Sequence, residues 1–268
     1  MKGLRVRMGA ATLGLAVAAA MMVPGVALGA ITVETNRGTL VINGDSTPNM
    51  INVDWDEYLD EVVVSDPVAP FEPLTPGTGC AATTNPGHQF TPELHCSPAG
   101  LHAITVSAGD GADTVGVSVS RSDETLLGEL FPVPVLVIGG QGDDDLQTGG
   151  WHGRAFGEEG DDVLYGRIGP TYLSGGDGND RLADPDGGND RLDGGAQGDV
   201  LDSLGGRDEL IGGGGRDVMR SGKGRDRIYA ADATRDKRIR CGPGGGDVAS
   251  VDALDPVPQL FERVLRTP

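Results

Sequence analysis

Between Gly139 and Ile228 acidic residues recur about every nine positions. Each closes a glycine-rich hexapeptide and stands two places ahead of an apolar residue. Three copies show the pattern well. They are Gly139-Gly140-Gln141-Gly142-Asp143-Asp144-Asp145-Leu146, Gly175-Gly176-Asp177-Gly178-Asn179-Asp180-Arg181-Leu182 and Gly212-Gly213-Gly214-Gly215-Arg216-Asp217-Val218-Met219. Glycines permit the positive φ values of a tight turn, so backbone carbonyls can converge on one point. The Asp adds a carboxylate. An all-oxygen donor set of this kind suits calcium, which takes six to eight hard oxygen ligands.

The apolar positions keep register through Leu146, Ala155, Leu164, Leu173, Leu182, Leu192, Leu201, Leu210, Met219 and Ile228. A glycine-rich linker has no such period. Each apolar residue therefore predicts a short strand whose side chain turns inward and stacks on its neighbours. A solenoid without metal would leave the stacked carboxylates to repel one another.

Residues 139 to about 229 resemble the RTX (haemolysin-type) calcium-binding repeat family. The resemblance implies a right-handed parallel β-roll, with two nonapeptides per turn and each ion between stacked loops on one edge. Alternate repeats then share an edge. One edge carries Asp144, Asp162, Asp180, Asp199 and Asp217. The other carries Gly153, Thr171, Asp190, Asp208 and Asp226. The implied metal ligands are the eight Asp residues of these columns, and the implied cofactor is Ca2+. One shared site per adjacent loop pair gives about four ions on the first edge and about two on the second. Beside the ligand Asp, early loops place Asp143, Asp161, Asn179 and Asn189, whereas later ones place Arg207, Arg216 and Arg225. A guanidinium there opposes a dication unless it swings outward. Gln197 stands where a Gly is expected.

The elements around this array are also legible. Lys2, Arg5 and Arg7 precede an uncharged run from Met8 to Val26, which ends in Ala27-Leu28-Gly29-Ala30. This reads as a secretory signal peptide cleaved after Gly29, in preference to a membrane anchor, because the strongly apolar part is short. The net charge falls from −19 to −22 once those three positive charges are removed. Such an acidic chain disfavours nucleic acid and favours multivalent cations as partners. Residues 30–138 contain short β-branched runs between turn residues, at Ile31–Val33, Leu40–Ile42, Met50–Val53, Val62–Val64, Ile104–Val106, Val115–Val119 and Val133–Ile138. They read as an irregular β domain, so the fold class is all-β: that domain followed by the β-roll of 139–255. Gly109-Asp110-Gly111-Ala112-Asp113-Thr114-Val115 reads equally as an imperfect calcium loop or as an acidic turn.

Cys80 and Cys96 share one Pro/Gly/Thr-rich loop and are expected to form a disulfide. The alternative is a zinc site with His88 and His95, which fits no common spacing. Cys241 is left over, as a buried thiol or a link between chains. The layout is similar to that of exported actinobacterial calcium-binding proteins. The tail 256–268 has Leu260, Phe261, Val264 and Leu265 at the spacing of one amphipathic turn, which would cap the roll. Toxin-type members carry a C-terminal export signal instead of an N-terminal one, so toxin function is not carried over.

No His-Glu-x-x-His, no Gly-x-Ser-x-Gly and no phosphate loop is present in the sequence. The expected function is therefore extracellular calcium binding coupled to folding, by a secreted non-enzyme without stable membrane insertion. Two other classes stay open. One is a surface adhesion or matrix protein with an unknown partner, in which calcium is a staple. The other is a divergent enzyme with its site in residues 31–138.

Overall fold

The computed structural model describes residues 31–56, 61–67, 74–83, 93–119, 133–150, 152–167 and 169–267. The segment 1–29 and His88 lie outside them. The described residues contain strands and no helix, hence no helix long and apolar enough to cross a membrane.

In the repeats, the nine-residue period becomes two facing parallel sheets. Strands Val135–Gln141, Arg154–Glu159, Tyr172–Asp177, Arg191–Ala196, Glu209–Gly214, Arg227–Tyr229 and Val248–Val251 form one sheet in that order. The shorter strands Asp145–Gln147, Val163–Tyr165, Arg181–Ala183, Val200–Asp202, Val218–Arg220 and Arg238–Arg240 form the other. Consecutive nonapeptides alternate between the sheets, so two of them complete a turn. This is a parallel β-roll.

The core follows from this alternation. In a strand only every second side chain points inward. Leu146, Leu164, Leu182, Leu201, Met219 and Ile239 stand in register on one sheet. Ala155, Leu173, Leu192, Leu210, Ile228 and Ala249 do so on the other. All are buried. A fully buried Leu contributes about 1.5–3 kcal/mol, and the column supplies only one such residue per nonapeptide.

The same two sheets continue into the first half. Ala103–Asp110 pairs in parallel with Val135–Gln141, and Thr114–Ser118 with Asp145–Gln147. Thr39–Asn43 and Met50–Asp56 add a further parallel layer on each sheet. Beyond them the pairing turns antiparallel, with Thr32–Asn36 on Thr39–Asn43 and Glu61–Ser65 on Met50–Asp56. The core is thicker here, with Leu40, Ile42, Ile104, Val106, Val135 and Val137 buried together. Cys80 and Cys96 are directly paired residues of adjacent strands and form a disulfide. His95 Nδ1 lies 3.0 Å from Glu61 Oε2, and both cysteines of the zinc alternative are consumed by the disulfide.

The C-terminal segment departs from expectation. The amphipathic turn read at Leu260–Leu265 is instead a strand, Arg263–Arg266, parallel to Val248–Val251. The physical reason is the open edge of that last strand, whose free N–H and C=O groups are a template for another strand. So short a helix could not offset its own nucleation. Phe261 packs against the core.

Candidate metal centre

The loops between strands stack along two edges of the roll, and each edge carries a ladder of aspartates. On the first edge, the backbone N–H of each Asp donates to Oδ1 of the Asp one turn further on. The pairs are Asp113 to Asp144, Asp144 to Asp162, Asp162 to Asp180, Asp180 to Asp199 and Asp199 to Asp217, each at 2.8 Å. Asp217 continues to Asp236 at 2.9 Å and Asp236 to Asp255 at 3.2 Å. On the second edge the ladder starts at Thr171, whose N–H donates to Asp190. It runs through Asp208, Asp226 and Asp247 to Glu262. All eight aspartates expected as ligands therefore lie in these two columns, five on the first edge and three on the second. Gly153, at the start of the second column, bears no ligand and packs against Thr148.

Each ladder carboxylate before the two end acceptors, Asp255 and Glu262, thus has one oxygen engaged. Its second oxygen is different. Oδ2 of Asp113, Asp144, Asp162, Asp180, Asp190, Asp199, Asp208, Asp217, Asp226, Asp236 and Asp247 is buried and meets no protein hydrogen-bond donor. Buried polar atoms are normally hydrogen-bonded, so a repeating row of exceptions marks a place for something else. Loop glycines complete the cradle. A Cβ on Gly139 would overlap Asp144 Oδ2 and lie 2.9 Å from the Gly157 carbonyl oxygen. The same holds at Gly157, with Asp162 Oδ2 and the Gly175 oxygen. Carboxylate and carbonyl oxygens therefore converge where only glycine leaves room.

The donor set consists of oxygens without nitrogen or sulfur, which fits calcium. No three Asp, Glu, His or Cys side chains meet at one point among the described residues. Backbone carbonyls must then supply most of the coordination, with carboxylates from successive loops shared between sites.

Electrostatics point the same way. Burial pushes Asp144, Asp162, Asp190, Asp199 and Asp236 up to about 7, and Asp180 and Asp208 up to about 6. The N–H bond at each Oδ1 opposes that rise without cancelling it. Asp113, Asp217 and Asp226 are raised for the same reason. Carboxylates one strand spacing apart, about 4.8 Å, repel by about 3 kcal/mol per pair at an effective dielectric near 20. A dication between them reverses that sign.

The edges are not equivalent. The first loop position is Gly139, Gly157, Gly175, Gly194 and Gly212 along the first edge, but Asp184, Ser203, Ser221 and Cys241 along the second. All four of these side chains are buried. Ser203 and Ser221 lie beside Asp208 and Asp226, and Asp184 accepts the Thr171 hydroxyl at 2.6 Å. The second edge therefore has less space beside its carboxylates.

Five ladder members are open or unread in the sequence: Asp113, Asp236, Asp247 and the two end acceptors Asp255 and Glu262. Asp113 belongs to the motif that reads equally as a loop or a turn, and the structure places it in the first column. Asp247 stands two places ahead of Ala249, but after a loop one residue longer. Asp236 is hidden by a bulge, because the N–H groups of Lys237 and Arg238 both donate to the Asp217 carbonyl. With loop 230–236 one residue longer than loop 212–217, that bulge residue completes the two-residue slip of register between Ile228 and Ile239.

Comparison with known families agrees with this geometry. The family model for the RTX calcium-binding nonapeptide repeat matches residues 156–183, 186–219 and 202–232, with four copies. Residues 156–232 are RTX repeats. RTX nonapeptide repeats bind Ca2+, so calcium is a ligand of this segment. The loops at 108–113, 139–144 and 230–255 extend the same ladders outside the matched RTX stretch. No curated protein matches the chain.

Proposed function

We propose that this protein is secreted and that its β-roll orders when calcium fills the two ladders. The row of buried, unpartnered Asp Oδ2 atoms carries this reading. Asp144, Asp162, Asp180, Asp199 and Asp217 act as ligands on the first edge, with Asp113 and Asp236 extending it. Asp190, Asp208 and Asp226 act on the second, with Asp247 after them. Calcium supplies positive charge where the chain has gathered carboxylates.

Coupling to folding follows from linkage. A ligand that binds only the ordered roll stabilises it in proportion to the logarithm of its concentration. Extracellular calcium modules bind at about 10⁻⁴–10⁻³ M, so the roll stays largely unfolded where calcium is scarce and orders after export. The disulfide and the signal-like N-terminus support an oxidising, exported setting. In this organisation residues 1–29 are the signal peptide, 30–138 the N-terminal β-rich segment, 139–255 the calcium roll and 256–268 its cap. The repeats are a binding element and not a catalytic one.

Circular dichroism of residues 30–268 during a calcium titration, with magnesium as control, tests the reading. The β signal should grow with calcium and not with magnesium, and calorimetry should count several ions. A chain fully folded in chelator and indifferent to calcium would sink it.

A further inference from the structure

A basic groove of about 310 Å³ lies at the corner between the second edge and the long-strand sheet, lined by Asn189, Arg207, Asp208, Glu209, Arg225 and Arg227. Arg207 and Arg225 hold the same loop position in successive turns, because Gly205–Gly206 pairs in register with Lys223–Gly224. Arg227 is the strand partner of Glu209. The acids in the groove are engaged elsewhere. Glu209 is gripped by Arg191, and Asp208 is buried, with Oδ1 taken by the Asp190 N–H. Among the described residues no carboxylate pairs with Arg207, Arg225 or Arg227.

Like charges at the same loop position of successive turns repel, and calcium on Asp208 and Asp226 would add to that repulsion. Three unpaired guanidiniums kept in one groove are therefore a local cost without a structural return, a mark of binding sites. A planar carboxylate is satisfied by a single guanidinium fork. Convergence of three suits an anion that offers oxygens in several directions. The surroundings favour it too. Residues 191–268 carry 13 Lys and Arg against 13 Asp and Glu, and seven of those acids (Asp199, Asp208, Asp217, Asp226, Asp236, Asp247 and Asp255) are buried in the ladders. The solvent face of this end is thus positive on an otherwise acidic chain. At physiological salt, charges more than about 8 Å away are largely screened, so the acidic first half does not cancel it.

We propose that this groove binds the tetrahedral oxyanion of a phosphate or sulfate ester, with Arg207, Arg225 and Arg227 as its donors. The test is calorimetric titration of the full mature chain at fixed millimolar calcium with two probes, fructose 1,6-bisphosphate and sucrose octasulfate. The probe that binds identifies the ester. Binding should weaken by at least about tenfold in the R207Q/R225Q/R227Q variant, the equivalent of one lost charge-assisted hydrogen bond. It should persist in Arg154→Gln, an exposed arginine on another turn. Circular dichroism and the calcium isotherm of the triple variant should match the parent chain, which separates loss of the groove from loss of the roll. If the triple variant misfolds, Arg207→Gln and Arg225→Gln alone should each weaken binding. The proposal is overturned if neither probe binds the parent chain at millimolar concentration, or if both bind the folded triple variant equally well.

Discussion

The N–H of Asp144 donates to Oδ1 of Asp162 at 2.8 Å, while Oδ2 of Asp162 is buried without a donor. One carboxylate thus does two jobs. One oxygen fixes the spacing of successive turns and the other is left for a cation. Asp180 sits in the middle of that column and is shared by the loops on either side of it. Asp180→Ala should weaken the sites above and below together, lowering the calorimetric stoichiometry. Asp180→Asn keeps an acceptor for the Asp162 N–H and should disturb folding less while still losing affinity. Unchanged stoichiometry in the alanine variant would rule out shared sites.

Protons compete with calcium for the ladder, and the direction is fixed by the raised carboxylates. Their folded values, near 6 to 7, lie above the ordinary 3.8. A raised value means that the calcium-free roll prefers the protonated acids. Its charge penalty is fully present above about pH 7 and fades as pH falls toward 4. In chelator, acidification from pH 8 to pH 5 should therefore increase β structure. In calcium titrations the same change should move the midpoint to higher calcium, since each proton must leave before the ion binds. A midpoint that ignores pH over this range would mean that these carboxylates are not the ligands.

How much of this was legible in the sequence depends on the spacing of each residue. The Leu146–Ile228 column is legible because one residue type recurs at one interval, and the sorting of the eight aspartates onto two edges follows from the turn of two nonapeptides that the RTX resemblance implies. Asp236 is not, since one extra residue in loop 230–236 and one bulge residue at Lys237–Arg238 break the interval without breaking the ladder. The C-terminal strand was misread because four apolar residues around Phe261 satisfy helical spacing equally well, and the neighbouring open edge that decides between helix and strand is visible only in three dimensions. In sequence Arg207 and Arg225 read only as charges opposing the metal, because their convergence with Arg227 depends on the register of successive turns.

Asp113 extends the first edge beyond the matched repeats. Its Oδ1 accepts the Asn49 N–H at 2.6 Å and its Oδ2 is unpartnered. Asn49, at the corresponding place one turn earlier, bears an uncharged amide whose Nδ2 donates toward the Ala108 carbonyl at 3.3 Å. The ladder of charge therefore begins at Asp113. Asp113→Asn should remove one ion from the total and leave the remaining sites intact. A stoichiometry equal to that of the parent chain would assign Asp113 a purely structural role.

Gln197 holds φ at 77°, where the matching loop position is Gly142, Gly160, Gly178 and Gly215. A side chain in this left-handed region costs roughly 1 kcal/mol relative to glycine. Gln197→Gly should stabilise the calcium-loaded roll by about that amount, although glycine also loses more entropy on folding, which trims the gain. Thermal unfolding at saturating calcium measures it. A lower melting temperature would show that the Gln197 side chain makes a compensating contact.

Strand Arg263–Arg266 lies along the edge of Val248–Val251. Glu262 takes the Asp247 N–H at 2.7 Å, and the Cys241 thiol donates to the Leu260 carbonyl. Cys241 is buried, and burial, helped by the neighbouring acids, pushes its thiol up to about 12. A thiol so placed is nearly devoid of thiolate at neutral pH and should resist thiol reagents. Deleting 256–268 removes the cover from Cys241, leaves the Asp247 N–H without its acceptor and opens the edge of Val248–Val251 to other chains. The truncated protein should melt at lower temperature, aggregate at lower concentration and react with a thiol reagent at least about tenfold faster, as the thiolate fraction rises with exposure. Equal reactivity before and after truncation would mean that the C-terminal strand does not cover the roll in solution.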